Sequence, residues 1–162
     1  MSVNRHIPHV LILPEDDANR QLANGFVLAL DGSRLNRIKV LPVAGGWLAV
    51  LDRFIADEAG KMNSYPLGLM ILIIDFNGQY NTRITTAKEK IPHPLRDRVF
   101  ILGTSGTPES LKQAGLGPYE VAGSLMAQDC REGTNATWGH ELLRHNASEL
   151  ERLRPRVVEI LF

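Results

Sequence analysis

Acidic side chains recur in this chain just beyond short aliphatic runs, where they could work on phosphate. Glu15, Asp16 and Asp17 follow the run Val10–Leu13, and Asp75 with Asn77 follows Leu69–Ile74. Glu109 comes a few residues after a third run that ends in Gly103-Thr104, and the pair Gly45-Gly46 follows a fourth around Val40. Carboxylate and amide oxygens that converge from separate strand ends suit Mg²⁺, a hard cation that keeps several waters and meets phosphate oxygens. Basic residues follow the second acidic group: Arg83, Lys88 and Lys90, then Arg96 and Arg98, a set able to clamp phosphates.

Such groups must be held by a frame. Five runs read as buried strands: His9–Pro14, Arg37–Val43, Leu69–Asp75, Arg98–Thr104 and Arg156–Phe162. Several are continuous aliphatic stretches, the pattern of strands covered on both faces. Helical spacing of apolar residues falls between them, over Asp16–Leu30 and Trp47–Ala59. Thr107-Pro108-Glu109 reads as a helix start, and Tyr119–Cys130 and Trp138–Leu153 as two further helices, the last ending before Pro155. Gly78–Asp97 reads as a long loop. The alternation implies one α/β domain over residues 1–162, with an open parallel or mixed sheet, Rossmann-like, and helices on both faces. In such sheets ligands bind beyond the carboxyl ends of the strands, which is where the acidic groups fall.

Composition bounds the partners. Lys plus Arg and Asp plus Glu are equal at 18 each, so no global charge draws the chain to nucleic acid or anionic lipid, and any such binding needs a local patch. Cys130 is alone, which excludes an internal disulfide and a thiolate zinc cage. The start lacks a secretory apolar core and the longest apolar run is too short for a bilayer, so the expected compartment is cytoplasm, with no membrane partner. His140 and His145 lie five apart and face different ways on one helix, which suits packing better than chelation.

The arrangement resembles the Toprim domain of topoisomerases, primases and related nucleases, over roughly Pro8 to Glu109. Glu15 matches that family's Glu after the first strand, Gly45-Gly46 its glycine after the second, and Asp75-Phe76-Asn77 its Asp-x-Asp after the third. Asn77 departs from the pattern, since an Asp is expected there, and so does Asp16, where the family has Gly. The resemblance implies a Mg²⁺-dependent phosphodiester hydrolase or nucleotidyl-transfer domain acting on nucleic acid or a nucleotide, alone, as a dimer or with a partner protein. Glu15 would be the general acid/base; Asp75, Asn77 and Asp16 would hold Mg²⁺; Gly45, Gly46, Arg83, Lys88 and Lys90 would bind substrate, with Glu109 as an additional acid. With Asn77 uncharged, an inactive binding or assembly module on the same fold is an alternative.

The first strand and Glu15-Asp16-Asp17 also look like a signalling receiver domain, with Asp75 as phosphoacceptor and Thr104 as switch hydroxyl, although the Lys-Pro that receivers keep after their last core strand is missing. Each group also has a purely structural reading. Acids in a helix's first turn are favoured by about 0.3–1 kcal/mol, Asp-Phe-Asn-Gly makes a turn, and exposed basic residues are often merely solvated.

Overall fold

The computed structural model describes residues 2–162. Four strands, β1 (His9–Pro14), β2 (Ile38–Val40), β3 (Gly68–Ile73) and β4 (Val99–Leu102), form one sheet in the order β2-β1-β3-β4, with every pairing parallel. Helices α1 (Asp17–Leu28), α2 (Trp47–Arg53), α3 (Ala59–Ser64), α4 (Tyr80–Lys90), α5 (Glu109–Gln113), α6 (Tyr119–Glu132) and α7 (Ala147–Leu161) cover it. This is the expected α/β architecture, an open Rossmann-like parallel sheet.

Strand periodicity decides which helix packs where. Val10 and Ile12 of β1 face one core, shared with Leu22 of α1, Met126 of α6 and Leu153 and Val157 of α7. Leu11 and Leu13 face the other, shared with Val50 and Leu51 of α2, Met62 of α3 and Ile84 and Ala87 of α4. Both faces of β1, β3 and β4 are therefore dry, which explains why these strands read as unbroken aliphatic runs, whereas edge strand β2 exposes Lys39.

Helices α1 and α6 approach unusually closely because each presents a glycine. A Cβ on Gly25 would lie 2.0 Å from the Glu120 carbonyl oxygen, and one on Gly123 would lie 1.9 Å from that of Leu22. Backbone cannot yield as a side-chain tip can, so Gly123→Ala is expected to cost at least the ~1–3 kcal/mol of an overpacked core. Urea unfolding checks this: a loss below about 0.5 kcal/mol, the scatter of neutral surface changes, would mean the two helices part freely.

Three expectations need correction. Arg156–Phe162 is not a strand but the end of α7, whose buried Leu150, Leu153, Val157, Ile160 and Leu161 follow a helical stripe. The helix expected over Trp138–Leu153 instead begins at Ala147 and runs through Pro155, which sits on its exposed side so that the carbonyl it frees can meet water. The expected long loop Gly78–Asp97 contains α4, whose few apolar positions, Ile84 and Ala87, were too sparse to show a stripe.

Without a fifth strand, the outer edge of β4 is covered by side chains. Asn146 Oδ1 accepts from the Gly103 amide at 3.1 Å and Glu149 Oε2 from that of Ile101 at 2.9 Å, while Arg152 donates to the Val99 carbonyl at 3.2 Å. Spaced three apart on one helical face, they stand in for the missing ladder and keep the edge from pairing with another chain. No helix among the described residues is long and apolar enough to cross a membrane.

Candidate functional site: an acidic crevice between β1 and β3

From β1 the chain crosses to β2 on one side, and it returns to β3 on the other, so the carboxyl ends of β1 and β3 open into a crevice. Glu15 and Asp75 meet there. β1 peels away at Glu15, whose amide still donates to the Ile73 carbonyl at 2.9 Å while its own carbonyl turns to accept from Gly45 at 2.8 Å. The Asp75 amide, left without a strand partner, donates to Glu15 Oε2 at 2.6 Å. Asp16 caps α1 through the Asn19 amide at 3.0 Å, and its negative side chain bears on Asp75. Asn19, fully buried, donates its side-chain amide to Asp75 Oδ1 at 2.9 Å.

Three carboxyls in so small a space repel. Burial, with the neighbouring Glu15 and Asp16 charges, pushes Asp75 up to about 7, against the opposing hydrogen bond from Asn19. Glu15 is also raised, first by burial and then by Asp16, with the backbone amides of Asp75 and Trp47 and the Arg83 charge working the other way. The Trp47 amide belongs to the first turn of α2, so a helix amino terminus faces this carboxyl.

Arg83, on the second turn of α4, donates to the Asp75 carbonyl at 2.6 Å and lies over the Trp47 ring, 4.7 Å from its centroid. Its Nε is buried without an acceptor. Gly45 has φ +97°, a conformation that favours glycine, and this lets the loop after β2 fold over the end of β1.

Other expected residues lie elsewhere. Asn77 is an exposed turn residue at φ 48°, its amide on the Gly106 carbonyl, and it makes no hydrogen bond to the three carboxylates. Lys88 and Lys90 are in the last turn of α4, about 12–15 Å along the helix from the rim where it starts. Lys88 pairs with Glu149 at 3.1 Å and Lys90 approaches Asp52 at 3.9 Å. Arg98 holds the Tyr65, Gly68 and Met62 carbonyls, a structural task.

Glu109 is exposed at the start of α5 and touches the crevice only through its charge on Tyr119, which also feels Asp16 and Asp75. His145 packs edge-on against Phe76 and Tyr80, and Cys130 is buried, its thiol pushed up by that burial. Sequence reasoning missed Asn19 and Tyr119. Asn19 falls in the first turn of a helix opened by three acids, and its position alone carried no hint that it reaches strand three.

A test of the residues against a divalent cation gives a mixed answer. Among the described residues no three of His, Cys, Asp and Glu are arranged as a ligand group. The Asp16–Asp75 pair does suit an ion that takes one or two carboxylates and keeps its water, because a cation there offsets the burial and the neighbouring charges that together disfavour an ionised Asp75. Fold and crevice together define an open parallel α/β domain with an acidic site at its switch point. No protein-family model, curated protein or solved structure matches this chain.

Proposed function

We propose that the chain is a Mg²⁺-dependent domain for phosphodiester cleavage or nucleotidyl transfer on nucleic acid. The observation that carries this reading is the meeting of Glu15, Asp16 and Asp75 over one rim, where Glu15 Oε2 accepts from the Asp75 amide and the Glu15 and Asp16 charges bear on Asp75. Asp75 and Asp16 would hold Mg²⁺, which when bound would offset charge growing on the phosphoryl oxygens.

Glu15 is the general acid/base. One of its oxygens is fixed by the Asp75 amide, and its raised pKa places its proton exchange nearer neutrality than an ordinary carboxyl's. Arg83 is the phosphate-binding cation, held at the rim by the bond it gives the Asp75 carbonyl. Asn77, Lys88 and Lys90 have no part in this version of the site.

A receiver-like reading draws on the same contact between Asp16 and Asp75 and on Thr104 just beyond β4. It is the weaker one: Thr104 is buried with its hydroxyl turned to the Gly106 carbonyl, and the one lysine after β4, Lys112, stacks on Tyr119. Titration calorimetry with MgCl₂, followed by hydrolysis of a labelled single-stranded oligonucleotide, separates the cases. Glu15→Gln is expected to leave Mg²⁺ affinity within about twofold and to lower the cleavage rate ~10²–10⁴-fold. Asp75→Asn is expected to lose Mg²⁺ binding. Wild-type protein that neither binds the ion nor cleaves would leave a binding module, and phosphorylation of Asp75 by acetyl phosphate would establish the receiver instead.

A further inference from the structure

The basic residues that α4 carries away from the crevice gather elsewhere. Lys88 of α4 and Arg96 of the short turn before β4 join Arg152 of α7 around an open pocket of about 280 Å³ on the outer edge of β4. Val99 and Ile101 of β4 line it, with Asp97 and Glu149 as its acids. The volume is several times one water's share of the liquid, about 30 Å³, so a group the size of phosphate fits.

Backbone carbonyls hold the guanidinium groups in place. Arg152 donates to the Val99 and Arg96 carbonyls at 3.2 and 3.3 Å, and Arg96 Nε to that of Ile91 at 3.2 Å. Beside them Arg156 donates to the Asp97 carbonyl at 2.7 Å. Each anchor uses only part of a five-donor group. Solvent reaches all three lining cations: Arg96 is exposed, and the Lys88 and Arg152 side chains are 50% and 40% exposed.

Glu149 lies beneath them, its Oε1 on Lys88 at 3.1 Å and its Oε2 on the Ile101 amide and Arg152. Four cations, Arg156 included, thus face two carboxylates. The result is a local surplus of two positive charges in a chain whose total is zero.

We infer that this pocket is a binding site for a phosphate group, taken up by Lys88, Arg96 and Arg152. A phosphate monoester at pH 8 carries about two negative charges, which match the surplus, whereas a carboxylate leaves one unmatched. Guanidinium forks fit phosphate oxygens in pairs. Arginines already fixed by carbonyls also lose little side-chain freedom when the anion arrives. The phosphate belongs either to a free monoester or to the backbone of a nucleic acid. This inference does not depend on the metal-dependent reading of the crevice.

The test uses the whole chain at pH 8 in buffer freed of divalent ions, so that metal in the crevice plays no part. Inorganic phosphate, acetate and a single-stranded oligonucleotide without terminal phosphates are titrated in turn at constant ionic strength. NMR follows the Val99 and Ile101 amides and the Nε–H groups of Arg96 and Arg152. Expected are saturable shifts at these groups with phosphate, about tenfold tighter than with acetate. Arg96→Gln and Lys88→Gln should each weaken binding about threefold to tenfold, and Arg83→Gln in the crevice should leave it within about twofold. The same shifts with the oligonucleotide identify a nucleic-acid backbone as the source; phosphate binding without them identifies a free monoester. Groups unmoved by phosphate and oligonucleotide alike, or moved equally by acetate, would overturn the site. So would an Arg83→Gln loss as large as that of Arg96→Gln, or an Arg96→Gln chain that binds phosphate as the wild type does. The Arg96 side chain is exposed and gives a single bond, to Ile91, so this variant keeps its fold where loss of Lys88 from Glu149 disturbs the edge.

Discussion

Asp75→Asn should make the protein more stable at pH 8, by on the order of 2–4 kcal/mol, while removing its capacity for metal. Asp75 is 8% exposed, and its carboxyl sits at about 7 in the folded chain against an ordinary value of 3.8. Between those limits the folded chain holds more protons than the unfolded chain, so this group's contribution to stability falls as pH rises through that window. It is fully present below about 3.8, where both states are protonated, and fully lost above the folded value.

Asparagine carries no proton to lose, its oxygen still accepts from Asn19, and its amide can donate to Asp16. The like-charge contact becomes a hydrogen bond. In a chain of this size the gain corresponds to a Tm rise of roughly 5–12 °C. Thermal melts of both proteins from pH 4 to 8 should show the curves within about 1 kcal/mol at pH 4 and diverging upward from there. Added Mg²⁺ at pH 8 should narrow the gap by stabilising the wild type alone. A variant less stable than wild type at pH 8, or an offset that does not change with pH, would show that Asp75 is not under electrostatic strain. Such strain is the usual mark of a carboxylate kept for chemistry rather than for folding.

The carboxylate meeting was legible in the sequence because parallel sheets have a polarity. Once Val10–Leu13 and Leu69–Ile74 are taken as buried strands, Glu15 and Asp75 must emerge at the same rim, whatever the helices do. The strand order needed the crossovers, and the sequence left the sheet's edge open. Arg156–Phe162 has the β-branched and aliphatic content of a strand, yet Val157, Ile160 and Leu161 also fit the apolar stripe that begins at Leu150. Pro155 argued for a break, and tertiary burial overrode it.

The basic residues failed for a related reason. With α4 read as loop, Arg83, Lys88 and Lys90 seemed free to gather, whereas a helix fixes Arg83 near the rim and carries the lysines away from it. Asn19 was invisible because its partner, Asp75, is 56 residues distant.

The absent fifth strand makes Glu149→Ala the substitution expected to harm folding most, by ~3–5 kcal/mol. Glu149 is 2% exposed and meets three groups: the Ile101 amide at 2.9 Å, Arg152 at 3.0 Å and Lys88 at 3.1 Å. Alanine leaves a buried strand amide without an acceptor, and it leaves two cations facing each other across the space the carboxylate filled. Glu149→Gln keeps an oxygen for Ile101 and gives up only the charge, so its loss should be smaller, about 1–2 kcal/mol.

Urea unfolding gives the totals, and amide hydrogen exchange locates them. In the alanine variant Ile101 should lose protection ahead of Leu72, a central-strand residue, because the edge opens before the sheet does. An exposed β4 edge is also a template for another chain, so this variant should associate at concentrations where the glutamine form stays dispersed. Unchanged Ile101 protection in Glu149→Ala would mean that the helix covers this edge by packing alone. The side chains of α7 would then not be what replaces the strand.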